Sequence, residues 1–366
     1  MMQNILEGLN SAQKEAVETT EGIVRVVAGA GSGKTRALTH RAAHLLQDFP
    51  VDPDKMLCVT FTNKAAGEMK KRIEDLTGLR NCGTICTFHS FCARFLREHT
   101  DALCYPTGFM ILDDDDKKEI LKIVLKKSTV ADKKNLKNAV GVVEKRKREL
   151  GTRYCHLLID LSDEELAAKY ELANSKGEES DEDKILYGYM LQQKNSYAFD
   201  FHDLLAFTLY LLETRPDIRE KWQEKFEYIS VDEFQDVDLI QYQIVKILSK
   251  KHGNLFVVGD SDQTIYSWRG ADVHRLVDFD KDYVNVKTIL MNDNYRSTPE
   301  IIDVANSLIG WNEMRIKKEL VPNLENGEAV ECYHAETLSE ETRWVASKIK
   351  KLIADGYSYG RKEESN

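Results

Sequence analysis

Short apolar runs alternate with stretches of three- and four-residue hydrophobic spacing along most of this chain. That alternation predicts a parallel sheet covered by helices on both faces. A short helix is expected over Leu9 to Val17, then a buried strand from Ile23 to Ala28 and a helix from Lys34 to about Gln47. Met56 to Phe61 reads as the next strand. It precedes a helix in which Ala65, Ala66, Met69, Ile73 and Leu76 share one face. Thr84 to Thr87 followed by a helix from Ser90 to Glu98 repeats the unit. The character changes near Phe109, and from Asp113 to about Phe199 the pattern is one of charged amphipathic helices without a strand, hence a helical insertion. Buried-strand runs resume at Tyr228 to Val231, Leu255 to Val258 and Val286 to Leu290. Next, Thr298 is placed to cap a helix with Pro299 at its first position, running to about Ile309. Ala329 to Tyr333 is expected to form a strand, and Val345, Ile349, Leu352 and Ile353 mark a last amphipathic helix. The division that follows is residues 1–109 with 200–285 as one α/β domain, 110–199 as an all-helical insertion, and 286–366 as the beginning of a second α/β unit.

A length of 366 residues fits two or three domains rather than one core. No apolar run approaches the ~18 residues of a membrane span, and the first residues lack a basic-then-apolar leader pattern, so a cytoplasmic protein is expected. Seven scattered cysteines without C-x-x-C spacing favour reduced thiols, with Cys82 and Cys86 as small buried residues. The net charge of −10 speaks against a protein coated in nucleic acid, yet Lys117 to Glu149 holds twelve basic and four acidic residues. That stretch is either a solvated helical face or a surface that follows phosphates, and the Lys145 to Arg148 cluster is its densest part.

The chemistry concentrates in IVRVVAGAGSGKT, where the first strand ends in a glycine-rich loop. Small residues at Gly29, Ala30, Gly31 and Gly33 let successive N–H groups surround phosphate oxygens. Lys34 supplies a charge to the β- and γ-phosphates, and Thr35 a hydroxyl to Mg²⁺, at the positive end of a helix. Ala28 stands where the pattern usually has its first glycine, and the whole segment Ala28 to Arg36, with Ser32 inside it, is the expected nucleotide loop. Two later strands end in acids, Asp232-Glu233 and Gly259-Asp260, and acids at the carboxyl ends of parallel strands should converge on that loop. Asp232 suits a metal-holding carboxylate and Glu233 a base for the attacking water.

The run VDEFQD, with GDSDQTIYSWRG and NYRST further on and LNSAQKEAV, TFTNKAAGEM and TFHSF in the first hundred residues, resembles the UvrD/Rep/PcrA-like group of superfamily 1 DNA helicases. The resemblance covers essentially the whole chain. It implies a RecA-like phosphate-loop NTPase fold with an inserted all-helical subdomain and an incomplete second RecA-like domain. It further implies ATP and Mg²⁺ as ligands, single-stranded or partly duplex DNA as partner, and 3′ to 5′ movement. On that likeness Gln13 reads adenine, Gln263 senses the γ-phosphate, Tyr295 stacks on the base, and Arg296 reaches the γ-phosphate as an arginine finger. For DNA the matching positions are Phe61, Thr62, Asn63, His89, Tyr266, Trp268 and Arg269, the aromatics stacking on bases whatever their identity. Family helicases are about twice this long, so the chain is expected to be an N-terminal part that binds ATP, hydrolyses it feebly and needs a C-terminal part to unwind. A single-strand-binding module without useful turnover and the motor of a helicase-nuclease are the other readings.

Overall fold

The protein is described by a computed structural model covering residues 4–129, 136–176, 180–267 and 270–357. In chain order the strands are β1 (Ile23–Ala28), β2 (Met56–Thr60), β3 (Thr84–Thr87), β4 (Met110–Leu112), β5 (Ala198–Asp200), β6 (Tyr228–Val231), β7 (Asn254–Gly259), β8 (Lys287–Met291), β9 (Asp293–Asn294) and β10 (Val321–Pro322). The principal sheet has the order β3-β2-β6-β7-β1-β8 and every pairing in it is parallel. Strands buried on both faces divide their side chains by the two-residue period. Leu255 and Val257 of β7 join one core, with Leu57, Val59, Ile229 and Val231, while Phe256 and Val258 join the other, with Val24, Val26, Met56 and Cys58. The sequence therefore reads as near-continuous apolar runs, as a sheet with two covered faces requires.

Helices α1 (Ser11–Glu18), α2 (Lys34–Gln47) and α3 (Asn63–Thr77) cover one face. Arg41 of α2 is fully buried there. Its guanidinium donates to the carbonyls of Thr19 and, at 2.7 Å, Thr20, where α1 ends, and lies 4.6 Å from the Phe256 ring. A cation at a helix C-terminus meets the negative end of the backbone dipole, so Arg41 fixes α1 against the sheet. The other face is covered by α4 (Phe88–Glu98) and, beyond the insertion, by later helices.

The insertion carries α5 (Asp114–Lys127), α6 (Leu136–Leu150), α7 (Thr152–Ile159), α8 (Asp163–Lys176) and α9 (Asp181–Asn195). At its base β4 and β5 pair in parallel, a short ribbon that the helical pattern did not announce. Then follow α10 (Phe201–Thr214), α11 (Pro216–Lys225), α12 (Leu239–Ser249), two short helices α13 (His274–Val277) and α14 (Phe279–Asp282), and α15 (Pro299–Ile309) and α16 (Leu338–Ala354).

Three expectations change. Strand β8 is the edge of the first sheet, paired with β1 from Val24↔Lys287 to Ala28↔Met291, so the chain leaves that sheet later than the boundary expected at 286. Thr298 occupies the cap position of α15, but its hydroxyl makes no capping bond, and Pro299 alone sets the start. Ala329 to Tyr333 is not a strand: Val330 and Tyr333 are exposed, and no neighbouring strand takes their backbone groups. Three of the four cations from Lys145 to Arg148 have carboxylate partners on the same or neighbouring elements. Lys145 pairs with Glu149 and Glu182, Arg146 with Glu149 and Asp183, and Lys147 is buried 2.7 Å from both Asp200 and Asp203. Of these, Lys147 is fully internal, whereas the side chain of Lys145 is 54% exposed. Arg148 lines a cavity of about 460 Å³.

Burial opposes the charge of Asp200, but the Lys147 ammonium outweighs it and holds this carboxyl below its ordinary range. Beside the pair, both ring nitrogens of His202 are shut off from solvent without a partner, and burial, then Lys147, pushes the imidazole down to about 4. A histidine lowered in the folded state stabilises the fold above its unfolded pKa, and that contribution is lost as pH falls through the window from ~6.5 to ~4. Urea unfolding at pH 7 and pH 5 should differ by up to about 2 kcal/mol from this group. A His202→Phe variant should narrow that gap; an equal gap in both proteins would show that His202 is not its source.

Candidate nucleotide site and nucleic-acid groove

The loop between β1 and α2 turns on two left-handed glycines, Gly31 at φ 69° and Gly33 at φ 83°. Gly33 is also the N-cap of α2, so the first N–H groups of that helix face outward beside Lys34 and Thr35. Ser32 braces the turn by donating its hydroxyl to Gly29 O at 2.7 Å. Gln13 is buried behind it. Its Nε2 donates to Ser32 O at 2.9 Å and its Oε1 accepts from Asn10 N at 3.1 Å, within the capping box of α1. A Cβ on Gly33 would lie 2.7 Å from Gln13 Nε2 and would also have to adopt φ 83°, so glycine suits this position on both counts. Arg36, on the first turn of α2, reaches back toward Gly8.

Three neighbouring strands deliver the rest. Lys34 Nζ lies 3.0 Å from Glu233 Oε2, after β6, and 3.2 Å from Gln263 Oε1, after β7. Glu233 has a left-handed backbone, φ 49°, which costs a non-glycine residue about 1 to 2 kcal/mol and turns its carboxylate toward Lys34. Burial, then the charge of Glu233, pushes the carboxyl of Asp232 up to about 6. Asp232 Oδ1 accepts from Glu233 N at 3.0 Å. A carboxylate disfavoured by burial and a like charge is one that a divalent cation would favour, and with the Thr35 hydroxyl it offers the hard oxygen donors Mg²⁺ takes. Sequence reasoning gave Gln235 no role, although it lies in VDEFQD. Its Nε2 donates to Glu233 Oε2 and its Oε1 accepts from Asp260 N, each at 2.9 Å, tying the two acidic strand ends together.

Residues after β8 close over the loop. Asn294 Nδ2 donates to Ala30 O at 2.7 Å and Tyr295 N to Gly31 O at 3.0 Å. A Cβ on Gly31 would come within 2.7 Å of Asn294 Nδ2 and 2.8 Å of Arg296 Cβ. Arg296 thus starts beside the phosphate loop, held by its own N–H donating to Asn294 Oδ1 at 2.9 Å. Tyr295 is half exposed, and its hydroxyl accepts from Asn10 Nδ2 at 2.9 Å. Asn294 was missed because a polar residue before Tyr295 carries no chemical signature of its own.

A second concavity, of about 780 Å³, is lined by Phe61, Thr62, Asn63, His89, Arg94 and Arg97 among others. Phe61 is stacked on Tyr266, with centroids 4.9 Å apart, rather than in the core. Thr62 caps α3, and Asn63 Oδ1 accepts from Ser90 Oγ at 3.5 Å. His89 sits edge-on to Phe201 at 5.5 Å. Trp268 and Arg269 lie outside the described residues. Arg94 and Arg97 were not singled out from sequence. Their three-residue spacing on the exposed side of α4, whose Phe91, Cys92, Phe95 and Leu96 are buried, was the available signal.

A parallel sheet whose strand ends bring a phosphate loop, an acidic pair and a glutamine to one point defines a RecA-like phosphate-loop nucleotide-binding protein. Residues 9–284 match the UvrD/REP helicase N-terminal domain and residues 289–363 the UvrD-like helicase C-terminal domain. The chain is 41% identical over 360 residues to the ATP-dependent DNA helicase PcrA of Staphylococcus aureus, covering 98% of this chain and 47% of that protein. It is 40% identical over 370 residues to that of Staphylococcus epidermidis, covering 98% and 48%. The chain belongs to the UvrD/REP helicase family, and it spans about half the length of these relatives. Among the described residues no helix is long and apolar enough to cross a membrane.

Proposed function

We propose that this chain binds ATP with Mg²⁺ at the loop Ala28 to Arg36 and serves an ATP-driven DNA helicase or translocase moving 3′ to 5′ on single strands. The observation that carries the reading is the approach of Glu233 and Gln263 to Lys34 within 3.0 and 3.2 Å. In this reading Lys34 binds the β- and γ-phosphates, while Thr35 and Asp232 would hold a Mg²⁺, which would supply positive charge to offset that of the phosphates. Glu233 takes the proton of the attacking water, Gln263 touches the γ-phosphate, and Arg296 offsets the charge that builds on it. Gln13 and Tyr295 select and cover the base. With Glu233 paired to Lys34, arriving phosphate competes with the carboxylate for the ammonium, and binding of nucleotide loosens Glu233 from Lys34.

In this reading single-stranded DNA lies in the groove of Phe61, Thr62, Asn63 and His89, with Tyr266 stacked on Phe61 and with Trp268 and Arg269 as further contacts by family likeness, and the unit after Met291 belongs to a second motor domain. Alternate closing and opening of two such domains around ATP moves the strand. The exposed Val345, Ile349, Leu352 and Ile353 of α16 favour further polypeptide covering that unit, so unwinding by these residues alone is expected to fail.

The test is phosphate release with and without single-stranded DNA, beside calorimetric titration of nucleotide. DNA-stimulated release supports the enzyme; DNA binding without release at any ATP concentration supports a binding module instead. Phe61→Ala and Trp268→Ala should each weaken single-strand binding by about 1 to 3 kcal/mol per lost base stack, read by fluorescence anisotropy. Unaltered affinity in both would move the DNA path off this groove.

A further inference from the structure

Beyond Gln263, four charged side chains form a closed set that no part of the proposed mechanism uses. Lys318 Nζ lies 2.5 Å from Asp260 Oδ1 and also contacts Asp262 Oδ2, which Arg315 Nη2 meets at 2.8 Å. All four are nearly sealed from water: the side chain of Lys318 is 2% exposed and that of Asp260 3%. Two acids come from the end of β7 and two bases from the segment between α15 and β10. The set is wired to the phosphate site at both ends. On one side Asp260 Oδ2 accepts from Gln263 Nε2 at 2.7 Å, and Gln263 in turn reaches Lys34. On the other, Leu320 sits so close to Gly29 that a Cβ there would meet it, and Val321 and Pro322 pair with β9, which leads directly into Tyr295 and Arg296.

Buried ion pairs add little net stability, because desolvation consumes most of their attraction; what they supply is a fixed register between the parts that carry them. Here those parts are the loop bearing Gln263 and the arm bearing Arg296. Asp262 Oδ1 and Arg315 Nε are moreover buried without partners, so the set is incompletely satisfied. We infer that Arg315 and Lys318 are positioning residues, forming with Asp260 and Asp262 a latch that aligns Gln263 and Arg296 on the same γ-phosphate. The inference rests on the ATP site proposed above.

A latch of this kind acts on the third phosphate only, and the test exploits that. Affinities for ADP and for a nonhydrolysable ATP analogue are measured by calorimetry on the full chain, its Lys318→Met variant, and the charge-balanced pair Lys318→Met with Asp260→Asn, which leaves Asp262 paired to Arg315. The pair keeps the variant foldable if one unpaired buried carboxylate is not tolerated. ADP affinity should stay within about twofold, because the first two phosphates need only the loop, while the analogue should bind about tenfold more weakly, the scale of one charge-assisted contact. Lys318→Arg should restore most of the preference for the analogue. Equal loss for both nucleotides, or no loss for either, in the charge-balanced pair overturns the latch. A parent chain that binds ADP and the analogue alike overturns it too, whereas a parent that binds neither removes the nucleotide site itself and the latch with it.

Discussion

Lys34→Ala should lower the affinity for ATP by at least a hundredfold, the largest equilibrium effect expected of any single substitution in this chain. The ammonium stands at the mouth of the loop with both the Glu233 carboxylate and the Gln263 side-chain oxygen on it, at 3.0 and 3.2 Å. Exchanging those partners for phosphate oxygens makes charge-assisted hydrogen bonds worth about 1.5 to 3 kcal/mol each, and losing two of them gives the stated factor. The substitution also strands Glu233, but this carboxylate is one-third exposed and rotates into water, so the fold should survive. Calorimetric titration reads the affinity, and a thermal melt within a few degrees of the parent separates lost binding from lost structure. A variant that binds ATP as the parent does would show that the phosphates sit elsewhere.

The two ends of this site differ in how legible they are from residues alone. The phosphate loop was readable because its chemistry demands glycine at fixed offsets: Gly31 and Gly33 adopt left-handed backbones that side chains resist, and each faces a neighbour a Cβ would strike. The sheet was readable for a similar reason. Strands buried on both faces admit few polar residues, so β1, β2, β6 and β7 appear as apolar runs, and the partly exposed edge strands β3 and β8 also form within a residue or two of where they are expected. What escaped were relations across long sequence separations. Gln235 bridges Glu233 and Asp260, Asn294 holds Ala30, and Lys318 meets Asp260; each is a polar residue whose role depends on which strand ends become neighbours. The basic run at Lys145 left two readings open because charge sign along a helix does not tell whether the counter-charge stands in solvent or on the adjacent helix. Here Glu182 and Asp183 of α9 supply it. Ala329 to Tyr333 misled for the complementary reason, that an apolar run becomes a strand only beside another strand.

Glu233→Gln separates binding from chemistry, and its expected result is a fall of about 10² to 10⁴ in DNA-stimulated phosphate release, the span contributed by a positioned general base. The replacement keeps the length of the side chain and its bond to Gln235 with the amide turned, and a left-handed backbone costs glutamine what it costs glutamate. Only the charge and the proton affinity change. The same charge change acts on binding in the opposite sense. Glu233 competes with phosphate for Lys34, so a neutral amide leaves the ammonium less engaged and ATP should bind as well as to the parent or better. Asp232 supplies a third readout. Part of the upward push on its carboxyl comes from Glu233, second to burial, so in the variant this carboxyl should ionise at lower pH. Nucleotide binding that requires ionised Asp232 to hold Mg²⁺ should then persist further into acid. Single-turnover release at saturating DNA, set beside ATP affinity from pH 5 to 8, tests all three. A release rate within threefold of the parent would take the base out of Glu233's hands. Weaker ATP binding in the variant would instead mean that the carboxylate supports the nucleotide rather than competing with it for Lys34.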